Sequence, residues 1–208
     1  MRGCGRWGVV LGCALAAAAG TVHAQRGLVP LPRYEFGVGG GLSAVSGDVG
    51  DLGSTGWHVL GTFGVRPARG TVGYRFDLAY HGIGSKTYAD TQGNITKSEP
   101  RVVSATADAV FRMPVAGEVT PYFLAGIGLY DTRYKFSYSG VSVSDSKAAF
   151  GLNGGFGLEF RLSGMSTLLE ARYHYAFDAT PTFGSTAYTG IQSHGLQLIP
   201  VSVIVMFR

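Results

Sequence analysis

The sequence predicts an all-β protein, an eight-stranded antiparallel up-and-down transmembrane β-barrel, and three observations lead to this prediction. Bulky residues alternate strictly with small or polar ones in eight segments of the chain. Long and short connections alternate between those segments, and the charges and most of the glycines lie on one face of the strands. The 33 glycines also disfavour a soluble helical protein, because each glycine inside a helix costs about 1 kcal/mol relative to alanine.

Alternation with a period of two is the signal of a strand with two different faces, and helical spacing is absent from the segments that show it. The first four predicted strands run over Tyr34–Leu42, Trp57–Val65, Val72–His81 and Val103–Phe111. Their bulky faces are, in order, Tyr34, Phe36, Val38 and Leu42; Trp57, Val59, Phe63 and Val65; Val72, Tyr74, Phe76, Leu78 and Tyr80; and Val103, Ala105, Ala107, Ala109 and Phe111.

The second half of the chain contains four more such segments, over Phe123–Leu129, Phe150–Phe160, Leu169–Tyr175 and Ile199–Phe207. The sixth strand sets bulky residues against Asn153, Gly155, Gly157 and Glu159, and the seventh sets them against Glu170, Arg172 and His174. The fifth and eighth segments have weak polar faces, so their registers are left open.

The connections predict which end of the barrel each loop occupies. Alternate connections of a meander lie at opposite ends, and long extracellular loops with short periplasmic turns are typical of outer-membrane barrels. Tyr134, Phe136 and Tyr138 either extend a hairpin above the membrane or form a contact patch, and we favour the extension. The short connections are Pro67–Gly70, Met113–Val119 and Leu162–Met165; the long ones are Ser46–Thr55, Gly82–Pro100, Thr132–Ser146 and Phe177–His194.

The composition of the two faces favours a membrane barrel over a soluble lipocalin-like one. Eight strands leave an interior just wide enough for ordinary side chains, and the many aromatic rings of the bulky face would overfill it. The other face contains many glycines, whose small size suits a crowded lumen. Its charges are nearly balanced, as a lumen requires, because an unpaired buried ion costs several kcal/mol. We therefore predict a structural network of charges in the lumen, formed by Glu35, Arg75, Asp77, Asp108, Glu159, Arg161, Glu170 and Arg172, with Arg66 and Arg112 near the turns.

The N-terminus has the anatomy of a secretory signal peptide. Arg2 and Arg6 precede an apolar stretch, and a small-x-small site ends at Ala24. We predict cleavage before Gln25, so that residues 1–24 are the signal and residues 25–208 the barrel domain. The alternative is a lipoprotein signal with a lipidated Cys13.

Removal of the signal would leave a chain without cysteine, with 15 basic residues against 13 acidic ones and a formal charge of +2. Cysteine nucleophiles and cysteine metal sites are then excluded. The chain has no cluster of lysine and arginine, so we expect no nucleic-acid partner.

Histidine, serine and carboxylate residues are the candidates for chemistry, and each has a structural alternative that we favour. Glu170, Arg172 and His174 could form an acid–base site but fit an ion-pair network better. A metal site among His58, His81 and His194 has no support from their spacing. An enzyme acting on lipid at the rim would need a serine and a histidine in reach, from Ser193–His194 or from His81 and Ser85. We predict no catalytic residues, no cofactor and no metal, and therefore no enzyme.

Several segments together resemble the small outer-membrane β-barrel proteins of the OmpA/OmpX-like type. The resemblance rests on Pro121–Gly128, Phe150–Phe160, Leu169–Tyr175 and the alternating C-terminus that ends in an aromatic residue. It implies an integral barrel in the outer membrane, inserted by the outer-membrane assembly machinery through its last strand, with Phe207 as the assembly signal. Members of the family usually end on the aromatic residue, whereas Arg208 follows it here.

These observations predict a monomer, surrounded by outer-membrane lipid, with a filled lumen that prevents bulk transport. The role that we expect is structural or interactive: membrane integrity, adhesion, or binding of an extracellular ligand through the long loops. A narrow passive pore, a rim enzyme and a soluble ligand-binding barrel are the alternatives.

Overall fold

A computed structural model describes residues 31–46, 53–68, 70–89, 95–138, 141–162, 164–177 and 195–207. Each strand pairs with its neighbour in the chain, and β1 also pairs with β8, so the sheet closes into an antiparallel barrel. The predicted fold class is therefore confirmed. Among the described residues, no helix is both long and apolar enough to cross a membrane. The strands are β1 Arg33–Ser46, β2 Gly53–Arg66, β3 Val72–Ala89, β4 Ile95–Arg112, β5 Val119–Tyr138, β6 Val141–Leu162, β7 Met165–Ala176 and β8 Leu196–Phe207.

The three short connections lie at one end of the barrel, which we call the turn end. Each contains a glycine with positive φ: Gly70 at 108°, Gly117 at 130° and Gly164 at 79°. Residues with a side chain rarely adopt this conformation, so glycine is the residue that lets these turns stay short. The opposite end, from which the longer connections leave, is the loop end.

Two of the predicted long loops are mostly strand. β3 continues to Ala89 and β4 starts at Ile95, which corrects the loop predicted over residues 82–100. Polar residues and glycine predominate there, so no apolar face marks these strands. β5 reaches Tyr138 and β6 starts at Val141, with continuous pairing up to these two residues, which confirms the favoured interpretation that Tyr134, Phe136 and Tyr138 extend a hairpin.

The large hydrophobic side chains point outward from the barrel. Phe36, Phe76, Phe123 and Phe156 are each at least half exposed, whereas Glu35 is only 1% exposed. This arrangement is the one predicted for a membrane barrel, in which aromatic rings face outward and charges face the lumen. Outward rings also contact one another near both ends of the barrel. The ring centroids of Phe36 and Phe63 lie 5.0 Å apart nearer the turn end, and those of Trp57 and Tyr80 lie 5.7 Å apart nearer the loop end. Such aromatic girdles are typical of membrane barrels.

Candidate functional site

The lumen contains three polar clusters, stacked from the turn end to the loop end. The turn-end ion cluster consists of Glu35, Arg66, Arg112 and Glu159; the central ion cluster of Arg75, Asp77, Asp108, Glu170 and Arg172; and the histidine–serine cluster of Ser43, His58, His81, Ser104, His174 and Ser202. Their members come from different strands at inward positions of the pleat. The lumen is therefore the place where distant parts of the sequence converge.

Glu170 and the two arginines form the middle of the central ion cluster. Arg75 Nη2 donates to both carboxylate oxygens of Glu170 at 2.7 Å, and Tyr122 Oη donates to Oε2 at 2.6 Å. Arg172 Nη1 donates to Asp108 Oδ2 at 3.0 Å, and its other nitrogens contact Glu170 and Asp77. The arginine side chains therefore hold three carboxylates together in the middle of the barrel.

Burial makes this pairing necessary. Arg75 and Glu170 are each 2% exposed, and Asp108 is 3% exposed. A buried charge that loses its partner costs several kcal/mol, because it has left water without gaining a compensating contact. The chemistry available to the cluster is therefore mutual neutralisation of charge, with fixed hydrogen bonds that cross the lumen from β7 to β3 and β4.

The turn-end ion cluster repeats this design with two carboxylates and two guanidinium groups. Arg66 Nη2 lies 3.0 Å from Glu159 Oε1 and 3.1 Å from Glu35 Oε1. Arg112 Nε lies 3.1 Å from Glu159 Oε2. Arg161, predicted to belong to the lumen network, is exposed at the turn end and donates to Thr120 Oγ1. It occupies the last inward position before a turn, where the lumen ends.

The histidine–serine cluster lies next toward the loop end. Ser43 Oγ is hydrogen-bonded to His58 Nδ1 at 3.0 Å and to His81 Nδ1 at 2.9 Å. His58 Nε2 is 2.8 Å from Ser202 Oγ, and the hydroxyl of Tyr130 is 2.8 Å from His174 Nδ1. Hydroxyl groups thus form hydrogen bonds with these ring nitrogens. Among the described residues, no group of histidines and carboxylates has the geometry to bind a metal ion.

The structure changes the grouping of the histidines expected from sequence. His58 and His81, which their spacing in the sequence did not connect, are register partners with ring centroids 5.3 Å apart. His81 is 2% exposed and points into the lumen, whereas Ser85 is exposed, so these two residues do not form the serine–histidine pair that the alternative of a rim enzyme would need. Ser193 and His194 lie outside the described residues, as do Ala24 and Gln25.

Apolar side chains fill the remaining space. The turn-side apolar cluster contains Val110, Tyr122, Leu124, Leu168, Ile204 and Met206, and the loop-end apolar cluster contains Ile83, Val102, Tyr130, Ala149, Ala176, Leu196 and Leu198. A cavity of about 20 Å³ remains between the central ion cluster and the histidine–serine cluster. It has room for about one water molecule and is too small for a solute.

Several lumen residues were not predicted from the sequence. Tyr122 and Tyr130 are 2% and 1% exposed, yet they flank the predicted strand Phe123–Leu129, whose polar face is weak. Ser43 follows a run of glycines that gives it no distinguishing signal. The one available clue is parity, because Tyr122 and Tyr130 alternate with the outward residues Phe123 and Leu129. Phe207, the predicted assembly signal, is 49% exposed on the outer face and ends β8.

Three solved structures resemble this barrel. Neisserial surface protein A gives a TM-score of 0.60 at 14% identity and covers 85% of this chain and 97% of its own. A major outer membrane protein from Thermus thermophilus gives 0.57 at 12% identity, covering 84% and 99%. Ail, the attachment invasion locus protein of Yersinia pestis, gives 0.51 at 18% identity, covering 84% and 97%. At these identities the likeness shows the fold alone.

No curated protein matches the sequence of this chain. A family model, by contrast, matches nearly all of it: the model of the outer membrane protein beta-barrel domain spans residues 11–198. This match agrees with the eight closed strands, the outward aromatic rings and the paired charges of the lumen. The chain therefore belongs to the outer membrane protein beta-barrel domain family, and that membership places it in the outer membrane.

Proposed function

We propose that this protein is a non-conducting, non-enzymatic barrel that binds an extracellular ligand at its loop end. The observation that carries the proposal is the unequal length of its strands. β5 and β6 have 20 and 22 residues, whereas β7 and β8 have 12 each. Within the residues that the structure describes, half of the barrel wall thus continues past the other half at the loop end.

The projecting strands form one continuous sheet. β3 pairs with β4 up to Ala89 and Ile95, β4 with β5 up to Thr96 and Tyr138, and β5 with β6 as far as Val141. From Gly151 to Val141, β6 extends about 30 Å along the strand at 3.3 Å per residue. We name residues 86–89, 95–100, 134–138 and 141–145 the projecting sheet.

The height of the projecting sheet supports a binding role. The ladder between β6 and β7 begins at Gly151 and Ala176, whereas the ladder between β5 and β6 continues to Val141. The projecting sheet therefore reaches beyond the level at which the described part of β7 ends. The ligand class that we propose for this surface is a segment of an extracellular protein.

The filled lumen supports the rest of the proposal. Two ion clusters, one histidine–serine cluster and two apolar clusters occupy successive levels, so that water has no wide path between the ends. The same packing is consistent with a monomer that is stable through its interior. We also propose that residues 1–24 direct export and that the assembly machinery recognises the last strand with Phe207.

The test is adhesion of intact cells that display the protein. We would replace residues 135–144 by an Asn-Gly turn, which shortens the projecting sheet and leaves the membrane-embedded strands intact. Retention of the cells on surfaces coated with a panel of extracellular-matrix proteins should be lost. A matched control replaces residues 115–118 in the connection at the turn end.

Both variants must first show the heat-dependent mobility shift of a folded barrel on a gel. If the shortened variant folds and adheres as well as the wild type, the projecting sheet is not the binding surface. If the wild-type protein adheres to none of the surfaces, the proposed adhesion is refuted.

A further inference from the structure

The outer wall of the barrel contains an apolar groove with a volume of about 280 Å³. Its floor is formed by Ala105 and Ala107 of β4, whose small side chains leave the sheet uncovered. The walls are Phe76 of β3 and Phe150 of β6, together with Ile127 and Leu129 of β5. These side chains face outward, so the groove opens toward the hydrocarbon of the membrane and has the shape to accept part of an acyl chain.

Two arginines lie on the same outer face, nearer the loop end. Arg101 of β4 is the register partner of Arg133 of β5, and both are exposed. Arg133 Nε donates to Asp131 Oδ2 at 3.0 Å, and the Arg133 side chain is 69% exposed. Like charges directly opposite each other destabilise a sheet. Among the side chains that the structure describes here, one carboxylate lies beside two guanidinium groups, which leaves a positive charge that an anion would neutralise.

The arginine pair and the groove are spaced so that one lipid could contact both, with its headgroup at the arginines and an acyl chain in the groove. Arg101 precedes Ala105 by four residues, and Arg133 follows Leu129 by four, which is about 13 Å along each strand. Arginine pairs well with phosphate because its planar fork can donate two parallel hydrogen bonds. A phosphate at the arginines would therefore direct its acyl chain toward the turn end, into the groove.

We propose that Arg101, Arg133 and the groove over Ala105 and Ala107 bind a phosphorylated glycolipid of the lipid A type. Long loops of outer-membrane barrels are extracellular, so a headgroup near the loop end belongs to the outer leaflet. The site depends on the orientation of the barrel in the membrane and does not depend on the ligand binding proposed above.

Native mass spectrometry of the purified barrel in detergent tests the site. The probes are diphosphoryl lipid A, the same lipid A with both phosphates removed, and phosphatidylglycerol. The wild type should retain diphosphoryl lipid A, and the double variant Arg101→Gln/Arg133→Gln should bind it at least about tenfold more weakly, because charge-assisted hydrogen bonds to phosphate are lost. Arg161→Gln, an exposed arginine at the opposite end, is the control and should bind like the wild type.

A second variant tests the groove without changing charge. Ala107→Phe should fill the groove and weaken retention of diphosphoryl lipid A while both arginines remain. A folded barrel must be confirmed for every variant by its mobility shift on heating. Equal binding of the dephosphorylated lipid, unchanged binding by either variant, or equally tight binding of phosphatidylglycerol would each overturn the assignment.

Discussion

Replacing Arg172 by methionine should be among the most destabilising single changes in the barrel. The guanidinium group contacts Glu170 at 2.5 Å and Asp108 at 3.0 Å, and it also contacts Asp77. Its side chain is only 6% exposed. Without it, three carboxylates share the single guanidinium group of Arg75 in a space that excludes bulk water.

The size of the effect follows from the burial of these ions. Removing one partner of a buried ion pair costs about 3–5 kcal/mol, chiefly because the other charge stays buried without compensation. We expect Arg172→Met to lower the free energy of unfolding by about 4 kcal/mol, close to a thousandfold in the folding equilibrium. Arg172→Lys should lose about half as much, because it keeps the charge but cannot reach three carboxylates with a planar fork.

Unfolding by guanidinium chloride in lipid vesicles measures this change. If the signal is cleaved before Gln25, Trp57 is the one tryptophan left, and its half-exposed ring on the outer face reports departure from lipid through its fluorescence. Arg33→Met, at an exposed position at the start of β1, is the matched control and should stay within about 0.5 kcal/mol of the wild type, since surface changes rarely exceed that.

A double variant separates charge imbalance from lost packing. Asp108→Asn removes a carboxylate whose partner is Arg172, so in the Arg172→Met background it should restore about 1–2 kcal/mol. Additive losses in the double variant would refute the electrostatic explanation. A loss below about 1 kcal/mol for Arg172→Met alone would show that the central ion cluster is not what stabilises the interior.

Three further predictions concern packing, hydrogen bonding and transport. A Cβ at Gly41 would lie 1.9 Å from the backbone oxygen of Val201, whereas one at Gly61 would meet nothing within 4 Å. Gly41→Ala should therefore lower the free energy of unfolding by about 2 kcal/mol or more, whereas Gly61→Ala should leave it almost unchanged in the same assay. Equal effects of the two substitutions would contradict the closure of β1 on β8. Ser43→Ala removes the hydroxyl that is bonded to two buried ring nitrogens and should lower the free energy of unfolding by about 2 kcal/mol. Ser202→Ala removes the partner of one ring nitrogen and should lower it by about 1 kcal/mol. A larger loss for Ser202→Ala than for Ser43→Ala would contradict the observed hydrogen bonds. The wild-type protein should produce no conductance steps in planar bilayers, and regular steps would show that the lumen is open to ions.

The fold could be predicted from sequence because each strand carries its own signal. Alternation with a period of two fixes which residues share a face, and the short turns set the ends. The boundaries of β3 and β4 could not be predicted, since polar residues and glycine predominate between residues 82 and 100 and leave no apolar face. Glu35 and Glu170 could be assigned to the lumen from parity alone.

The partners of those charges could not be predicted, because they depend on how the barrel closes. Arg66 meets Glu159, which is 93 residues away in sequence. His58 meets Ser202 across the seam between β1 and β8, at a sequence separation of 144. Pairing of this kind depends on strand stagger and on rotamers, and neither leaves a trace in the local pattern of one chain.

The glycines of the lumen have an explanation in volume rather than in backbone freedom. A Cβ at Gly157 would lie 2.5 Å from the ring of Tyr122, and one at Gly128 would lie 2.9 Å from the ring of Tyr130. Each large inward side chain thus occupies the space that a glycine on the sheet leaves empty. Close-packed interiors tolerate changes that conserve volume better than added or removed bulk. Tyr122→Leu should therefore rescue part of the loss in the free energy of unfolding caused by Gly157→Ala. Rescue should be incomplete, because the new Cβ would still lie 2.8 Å from the backbone oxygen of Leu169. Additive losses in the double variant would show that the Tyr122 ring is not the obstacle.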